Sequence, residues 1–378
     1  MVRICMYIPS FFPLVGGAER QAQSLSQALV RKGHQVFVLT RRLRGTESRS
    51  KVDGVPVFRV FARGPRLGFP CASLAFLVGQ RRRYEIIHVH TLDSPAILAC
   101  IAKRLLARPV VVKLRGADKT KRYTKTWAGR RIWRFLRRNV DCFVAVNQAI
   151  KNELISAGVD RERIRLIPNG VDTTVFVPVN EEEKAALRGR LALPEEGIAI
   201  FTGRLIQGKG LRVLLEAWAA VHPRLPGARL LLAGSGPERA RLEAVATSLG
   251  IRGTISFLGE CPHDRIREYL QASDVFVMPS RAEGISNAIL EAMATGLAVA
   301  ATRISGITDL IDEGKNGLLF DVDDKGQLAT LLVRLLGNSE HRRRLGRAAR
   351  ATVTHSFSID GIAEQYETVY TTLAQRSI

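Results

Sequence analysis

The sequence predicts an α/β protein built from two Rossmann-like, doubly wound domains facing across a cleft. Three observations predict it. Apolar strand-like runs alternate with helix-period runs along the chain, the pattern of a mostly parallel sheet covered by helices. The alternation starts again after Pro168-Asn-Gly-Val-Asp-Thr-Thr-Val-Phe-Val-Pro178, a turn-rich stretch with the composition of a linker. A length of 378 residues is also long for one domain and natural for two.

The first run, residues 2–8, is apolar and reads as a strand. Pro9, Pro13 and Glu19 interrupt the chain just beyond it, so a first strand explains this end better than a signal peptide. Further strands are expected at 35–40, 55–60, 86–90, 109–114, 142–147 and 164–167, with helices at 17–32, 71–83, 94–107, 122–138 and 147–157. The second half repeats the plan. Its strands are expected at 198–203, 229–233, 255–258, 275–279, 297–301 and 317–320, and its helices at 210–221, 236–249, 264–272, 285–295, 306–313 and 324–350. The domains are therefore expected to span 1–176 and 177–357, with a last helix, 358–374, packing back near the first. Ligands of such sheets bind at strand carboxyl ends, and a cleft between domains is the default site.

Nearly half the residues are apolar, which supplies ample core. The longest uncharged apolar run near the front, Cys71 to Gly79, is too short to span a bilayer. The five cysteines are scattered without CxxC or Cys/His spacing, so neither a disulfide framework nor a metal site is expected and a reducing cytoplasm fits. His88 and His90 share one strand face, where two such residues more often finish a strand end than bind zinc. The net charge is +22, and all of it lies in residues 1–180, since residues 181–378 balance. Such a half attracts an acidic partner: nucleic acid, an anionic membrane leaflet or an acidic substrate.

Pro279-Ser-Arg-Ala-Glu283-Gly284-Ile285-Ser286-Asn287-Ala-Ile-Leu-Glu291 joins a strand to a helix N-terminus. Unpaired first-turn N–H groups and the helix dipole favour an anion there. Glu283 and Glu291 would lie about 80° apart on a helix and face one cleft; alternatively they are a first-turn acid and a surface residue. Gly203-Arg204-Leu-Ile-Gln-Gly208-Lys209-Gly210 sets two cations in a glycine-rich loop suited to a diphosphate. It is not a Walker loop. Gly16-Gly17 lets backbone meet phosphate but lacks the GxGxxG spacing, so a plain strand–helix turn is equally open. Leu232-Ala-Gly234-Ser-Gly236-Pro237 and Phe257-Leu-Gly259 end two further strands as turns or ligand loops, and Asp321-Val-Asp323 formally matches a DxD metal motif. From Lys113 to Arg138 there are eleven basic residues and one acid. Arg130, Arg131, Arg134, Arg137 and Arg138 share one helical face, Trp133, Leu136 and Val140 another, with Trp127 and Phe135 flanking. That pattern suits an interfacial helix, or a core stripe under a solvated basic face.

Together these stretches resemble the retaining GT-B glycosyltransferases of the glycogen-synthase-like, Glu-x7-Glu group (glycosyltransferases group 1). The resemblance rests on Gly16-Gly17-Ala-Glu19, Pro168-Asn-Gly-Val-Asp172, Gly203-Arg204 with Lys209-Gly210, Ala233-Gly-Ser-Gly-Pro237, and Glu283-Gly284 through Glu291 with Ala292-Met-Ala294. It implies a UDP- or GDP-linked sugar donor held by the second domain, an acceptor held by the first, and no cofactor or metal. Arg204 and Lys209 would hold the diphosphate, Glu283 the sugar and Glu291 the ribose. Gly17, Gly203, Gly284, Ile285, Ser286 and Asn287 would complete the donor site. Acceptor-side candidates are Arg115, Asp118 and His90. Arg115 stands where the family often has His, and a guanidinium stays protonated and cannot serve as a base.

The expected activity is sugar transfer to a lipid-linked or anionic acceptor in polysaccharide or glycolipid assembly, in the cytoplasm and peripheral to the inner leaflet. A soluble small-molecule transferase, a nucleotide-sugar epimerase and a nucleic-acid-binding protein are the other readings. No helix-turn-helix, zinc finger or RNP-like motif supports the last, and no nucleic-acid partner is expected.

Overall fold

The computed structural model describes residues 1–14, 16–61, 68–116, 118, 120–195 and 197–376; Ala117 and Lys119 of the basic stretch from Lys113 to Arg138 lie outside them. The chain divides into two compact units, Met1–Gly170 with Ile359–Ile378, and Val171–Ser358.

In order, the first unit runs β1 (Arg3–Tyr7), α1 (Gly17–Arg31), β2 (Gln35–Arg41), β3 (Arg49–Val52), β4 (Val55–Val60), α2 (Gly68–Gly79), β5 (Ile86–Val89), α3 (Ser94–Leu106), β6 (Val110–Leu114), α4 (Lys121–Thr124), α5 (Trp127–Asn139), β7 (Cys142–Ala145), α6 (Gln148–Ser156) and β8 (Ile164–Leu166). The strands form one sheet in the order β3-β4-β2-β1-β5-β6-β7-β8. Every pairing is parallel except β3 with β4. The strands from β5 to β7 are buried along their length, which is why they read as continuous apolar runs.

The second unit runs α7 (Glu181–Arg190), β9 (Ile198–Thr202), α8 (Leu211–Val221), β10 (Arg229–Ala233), α9 (Arg239–Ser248), β11 (Ile255–Gly259), α10 (His263–Ala272), β12 (Val275–Met278), α11 (Asn287–Ala294), β13 (Ala298–Thr302), β14 (Leu318–Phe320), α12 (Lys325–Gly337) and α13 (Ser339–Ser356). Its sheet has the order β11-β10-β9-β12-β13-β14 and is parallel throughout. The strand order reverses between β9 and β12, and ligands of open parallel sheets bind at such a point.

The last helix, α14 (Ile359–Gln375), belongs to the first unit. Ile359, Ile362, Ala363, Tyr366, Val369 and Tyr370 recur at helical spacing and are buried in one cluster with Ile4, Met6 and Val36. Lys32 pairs with Glu364 at 2.8 Å on its outer edge.

Four expectations are corrected, and two elements went unforeseen. The border falls at 170/171, ahead of the expected 176/177. Val171 already donates its N–H to Phe357 O (2.9 Å), and the Arg350 guanidinium donates to Thr173 O (2.8 Å) and Phe176 O (2.6 Å), so these residues are bound into the second unit. The edge strand β3 went unforeseen because Arg49-Ser-Lys-Val is polar, although Asp53-Gly54, both at positive φ, are the turn its hairpin with β4 requires. The helix α7 also went unforeseen; it is polar but opens on an Asn180/Glu183 capping box. The helices expected at 122–138 and 324–350 each break in two, where extended Thr126 and Asn338 cap α5 and α13. Residues 306–313 form turns and no helix: Gly306 sits at φ +85, and a Cβ there would collide with the Gly284 carbonyl.

Replacing Ile362 by Ala removes a buried side chain that joins α14 to the sheet, at a cost of about 2–5 kcal/mol. Urea unfolding of the first unit should move to lower denaturant; an unchanged midpoint would contradict this packing.

Candidate donor and acceptor sites

In the second unit, the loops after β9 and β12 flank the point where strand order reverses. The first, Gly203–Gly210, is pinned by Gly203 N–H to Ala233 O (2.9 Å) and Leu205 N–H to Ser235 O (2.8 Å). It ends in a turn of 3-10 helix that presents Lys209, followed by Gly210 at φ +65, where any Cβ would strike the Pro279 carbonyl. The second loop, Pro279–Ser286, is tied to the first by Arg281 N–H to Gly208 O (3.0 Å). Thr302 Oγ1 donates to Ser280 O (2.5 Å), which fixes it to β13.

These loops bring Lys209 and Glu283 together: the ammonium lies 2.5 Å from Glu283 Oε1, with both side chains mostly buried. Arg204 is exposed, and its side chain makes no hydrogen bond or ion pair among the described residues. Gly284 follows Glu283 and is held close to Gly306. Ile285 is buried, and Ser286 caps α11 with its hydroxyl accepting from Ile289 N–H (3.5 Å). Because α11 begins at Asn287, Glu283 stands in the loop, and the expected helical angle between it and Glu291 does not apply. Glu291, one turn into α11, meets His263 Nε2 at 3.3 Å; His263 stands at the start of α10 and carried no sequence signal. The DxD carboxylates are engaged by arginines, Asp323 by Arg281 Nε (3.0 and 3.1 Å) and Asp321 by Arg303 (3.6 Å).

In the first unit the strand order reverses between β1 and β5. Gly17 opens α1 on one side, where Glu19 Oε2 accepts the Gly16 N–H (3.0 Å). His90 follows β5 on the other. It is buried, stacked on His88 at 4.3 Å between ring centroids, with Nε2 3.4 Å from Met6 Sδ. Burial, His88 and the charges of Lys113 and Arg115 hold its pKa well below the ordinary value. Arg115 caps the carboxyl end of β6. Asp118 is drawn away: its N–H donates to Glu153 Oε2 (2.7 Å) and its carboxylate pairs with Lys121 (2.6 Å). His90 and Arg115 thus share a rim, whereas Asp118 ties a loop to α6.

Lys113, inside the run Val110-Val-Val-Lys-Leu, is the residue that sequence reasoning passed over. It is 2 % exposed, its ammonium lies 5.7 Å from the Tyr366 ring centroid, and burial with the Arg115 charge lowers its pKa to about 7. Deeper in the cluster, Tyr370 Oη lies 2.6 Å from His88 Nδ1.

On α5, Arg130, Arg131, Arg134 and Arg138 are exposed, and Trp127 is 65 % exposed with the Arg131 guanidinium 4.7 Å from its centroid. Trp133 belongs to the core, its Nε1–H donating to Ala157 O (2.8 Å), and Leu136 and Val140 are buried beside it. Among the described residues no helix is long and apolar enough to cross a membrane.

Two parallel-sheet α/β units, the second with a lysine–glutamate pair where its strand order reverses, define a GT-B glycosyltransferase. The solved structure of Anabaena HepE in complex with UDP and glucose shares this fold, with a TM-score of 0.82, 22% identity, and coverage of 98% of this chain and 100% of that one. Residues 15–175 match Glycosyltransferase Family 4, and residues 183–352 match Glycosyl transferases group 1. The chain belongs to the group 1 glycosyltransferases, enzymes that use nucleotide sugars. It is 32% identical to the sulfoquinovosyl transferase SQD2 of Arabidopsis thaliana over 92% of its own length and 69% of that protein. It is likewise 32% identical to the lipopolysaccharide core biosynthesis glycosyltransferase LpsE of Rhizobium meliloti, covering 93% and 94%.

Lys113 gives a pH signature. Between about 7 and its ordinary 10.5, the unfolded chain holds a proton that the folded chain has released, so this group makes stability rise with pH across that window. Thermal melts between pH 7 and 9 should show a component of this sign that Lys113→Met removes. Identical pH profiles for the two proteins would contradict the buried amine.

Proposed function

We propose that the protein transfers a hexose-type sugar, with retention of anomeric configuration, from a UDP- or GDP-sugar to a lipid-linked or anionic acceptor at the cytoplasmic membrane face. The second unit is the donor side and the first the acceptor side. The observation that carries the donor assignment is the Lys209–Glu283 pair at the β9/β12 reversal. A diphosphate there competes with Glu283 for the ammonium, while exposed Arg204 supplies a second cation. Glu283, relieved of part of its partner's charge, then faces the sugar. As the bond from the anomeric carbon to the leaving phosphate oxygen breaks, Arg204 and Lys209 stabilise the charge gathering on the diphosphate, so this reading needs no metal or other cofactor. The acceptor oxygen bonds to the same face of that carbon, and its proton passes to the leaving phosphate. Gly203 and Gly284 keep backbone close to the donor, Ile285, Ser286 and Asn287 line the start of α11, and Glu291 with His263 suits the ribose hydroxyls. Gly17, at the opening of α1, is proposed to approach the phosphates.

The membrane assignment is supported by the exposed arginine face of α5 with Trp127 at its start, and by a first half that carries the chain's entire net charge. LpsE, by its name, works in lipopolysaccharide core biosynthesis.

One nucleotide among UDP, GDP and ADP should stabilise the protein in a thermal-shift panel, by about 2.7 kcal/mol at a hundred times its Kd. Lys209→Ala should abolish that response, and no response to any of the three in the wild type would remove the reading. Glu283→Gln should keep nucleotide binding but lower kcat by roughly 10²–10³; unimpaired turnover would exclude the assigned role. The protein should co-sediment with anionic but not neutral liposomes, and reversing Arg130, Arg131 and Arg134 to Glu should release it. Equal partitioning to both vesicles would leave a soluble acceptor as the better reading.

A further inference from the structure

Elsewhere a buried cation of this chain finds acceptors: Arg59 donates to Ser50 Oγ (2.6 Å) and to Phe12 O (2.9 Å). In the second unit, buried Asp274 accepts from Lys184 Nζ (2.9 Å), Arg188 Nη2 (2.8 Å) and the Ile198 N–H (2.9 Å). The carboxyl end of β6 breaks that pattern. The side chain of Lys113, 2 % exposed, has no hydrogen-bond or ion-pair partner among the described residues, and its ammonium faces the Tyr366 ring. An aromatic face attracts an ammonium but leaves its N–H donors without an acceptor.

Arg115, just past the end of β6, is exposed, its charge acts on Lys113, and it makes no ion pair among the described residues either. The carboxylates whose charge it feels are those of Glu19 and Asp93. Glu19 is bound to the Gly16 N–H, and Asp93 to Thr91 and the Arg122 guanidinium. Among the described residues, the buried Nε2 of His88 on neighbouring β5 and the buried Tyr366 hydroxyl on α14 have no hydrogen-bond partner. A buried ammonium with no counter-charge costs stability, and a second cation at the rim beside it adds repulsion. An anion of two negative charges removes both penalties, whereas a carboxylate offsets only one.

We propose that the carboxyl end of β6 binds a phosphoryl group carried by the acceptor, with the Lys113 ammonium and the Arg115 guanidinium as its two cations. This rests on the assignment of the first unit as the acceptor side, and it names the class of acceptor: a phosphate monoester or a phosphate-bearing head group. Among the described residues, the charged and titratable groups around Lys113 are Arg115 just past β6, His88 on β5, His90 just past it, and Tyr366 on α14. None is a carboxylate, so a bound phosphate raises the Lys113 pKa and binding takes up a proton.

The test uses the full chain with inorganic phosphate and methyl phosphate as probes, at constant ionic strength in chloride. Both should raise the melting temperature of the wild type at pH 7. Lys113→Met and Arg115→Gln should each weaken the apparent affinity by about tenfold or more, the loss of one charge-assisted contact. In ¹⁵N NMR, the Lys113 amine should titrate at higher pH when methyl phosphate is present. A response equal in wild type and Lys113→Met overturns the proposal. So does a response to inorganic phosphate that methyl phosphate lacks, because the site then takes a free ion only. Circular dichroism confirms that the variants fold, and Lys113→Met removes a buried charge without adding bulk. A nucleoside diphosphate arm on the same proteins keeps the two readings apart. Its silence in the wild type counts against the donor site, whereas a nucleotide response kept in Lys113→Met while the phosphate response is lost supports the β6 site.

Discussion

The ion pair between Lys209 and Glu283 is the contact on which the proposed donor side of this protein depends. It links residues 74 positions apart, and it exists because β9 and β12 are neighbours at the reversal of the parallel sheet. Each partner is held by backbone before it is held by charge. Gly210 lets the lysine loop pass against Pro279, Gly306 lets the turn after β13 pass against Gly284, and Arg281 N–H joins the two loops. A mostly buried pair of this kind is costly to break from one side only, since the survivor is left uncompensated. A diphosphate is a natural substitute for one partner, because it brings to the lysine the charge that the glutamate gives up.

The two units handle buried charge differently. In the second, buried cations are answered by carboxylates, at Asp274 for Lys184 and Arg188 and at Glu283 for Lys209. In the first, buried Arg59 is answered by the Ser50 hydroxyl and the Phe12 carbonyl, and buried Lys113 stays without a hydrogen-bond or ion-pair partner among the described residues, next to histidines that burial keeps neutral. The unequal charge of the two halves is thus more than a surface property, since part of it is carried into the sheet of the first unit. The arginines of α5 carry another part outward, over a stripe of Trp133 and Leu136 that anchors the helix in the core. The helix thus has the packed apolar stripe under an exposed basic face that its sequence allowed, and its place at a membrane interface belongs to the proposal.

Most strands were legible because parallel strands buried on both faces must be continuous apolar runs. The missed elements are polar or contextual. The strand β3 is a charged edge strand betrayed only by Asp53-Gly54, and α7 is a polar helix betrayed only by its capping box. The 306–313 segment has a helical pattern, but its backbone answers to a close approach by Gly284 that no local pattern encodes. The border was misplaced for a related reason: turn-rich composition marks Pro168–Pro178 as a connection, yet hydrogen bonds from Val171 and Arg350 decide which unit owns it. At the candidate sites, the glycine-bearing loops that bring Lys209 and Glu283 together were legible. His263 was not, because its meeting with Glu291 arises from the packing of α10 beside α11. Lys113 was visible as a lysine inside an apolar strand, but its lack of a counter-charge appears only in three dimensions.

The central claim is that the diphosphate of the donor lies at the β9/β12 reversal and takes Lys209 as its counter-charge. A crystal structure of the protein with the nucleoside diphosphate that stabilises it tests this most directly. The account predicts phosphate oxygens within hydrogen-bond distance of Lys209 Nζ and the Arg204 guanidinium, with the Lys209–Glu283 contact lengthened. Phosphates bound elsewhere, with the Lys209–Glu283 pair intact, would contradict it.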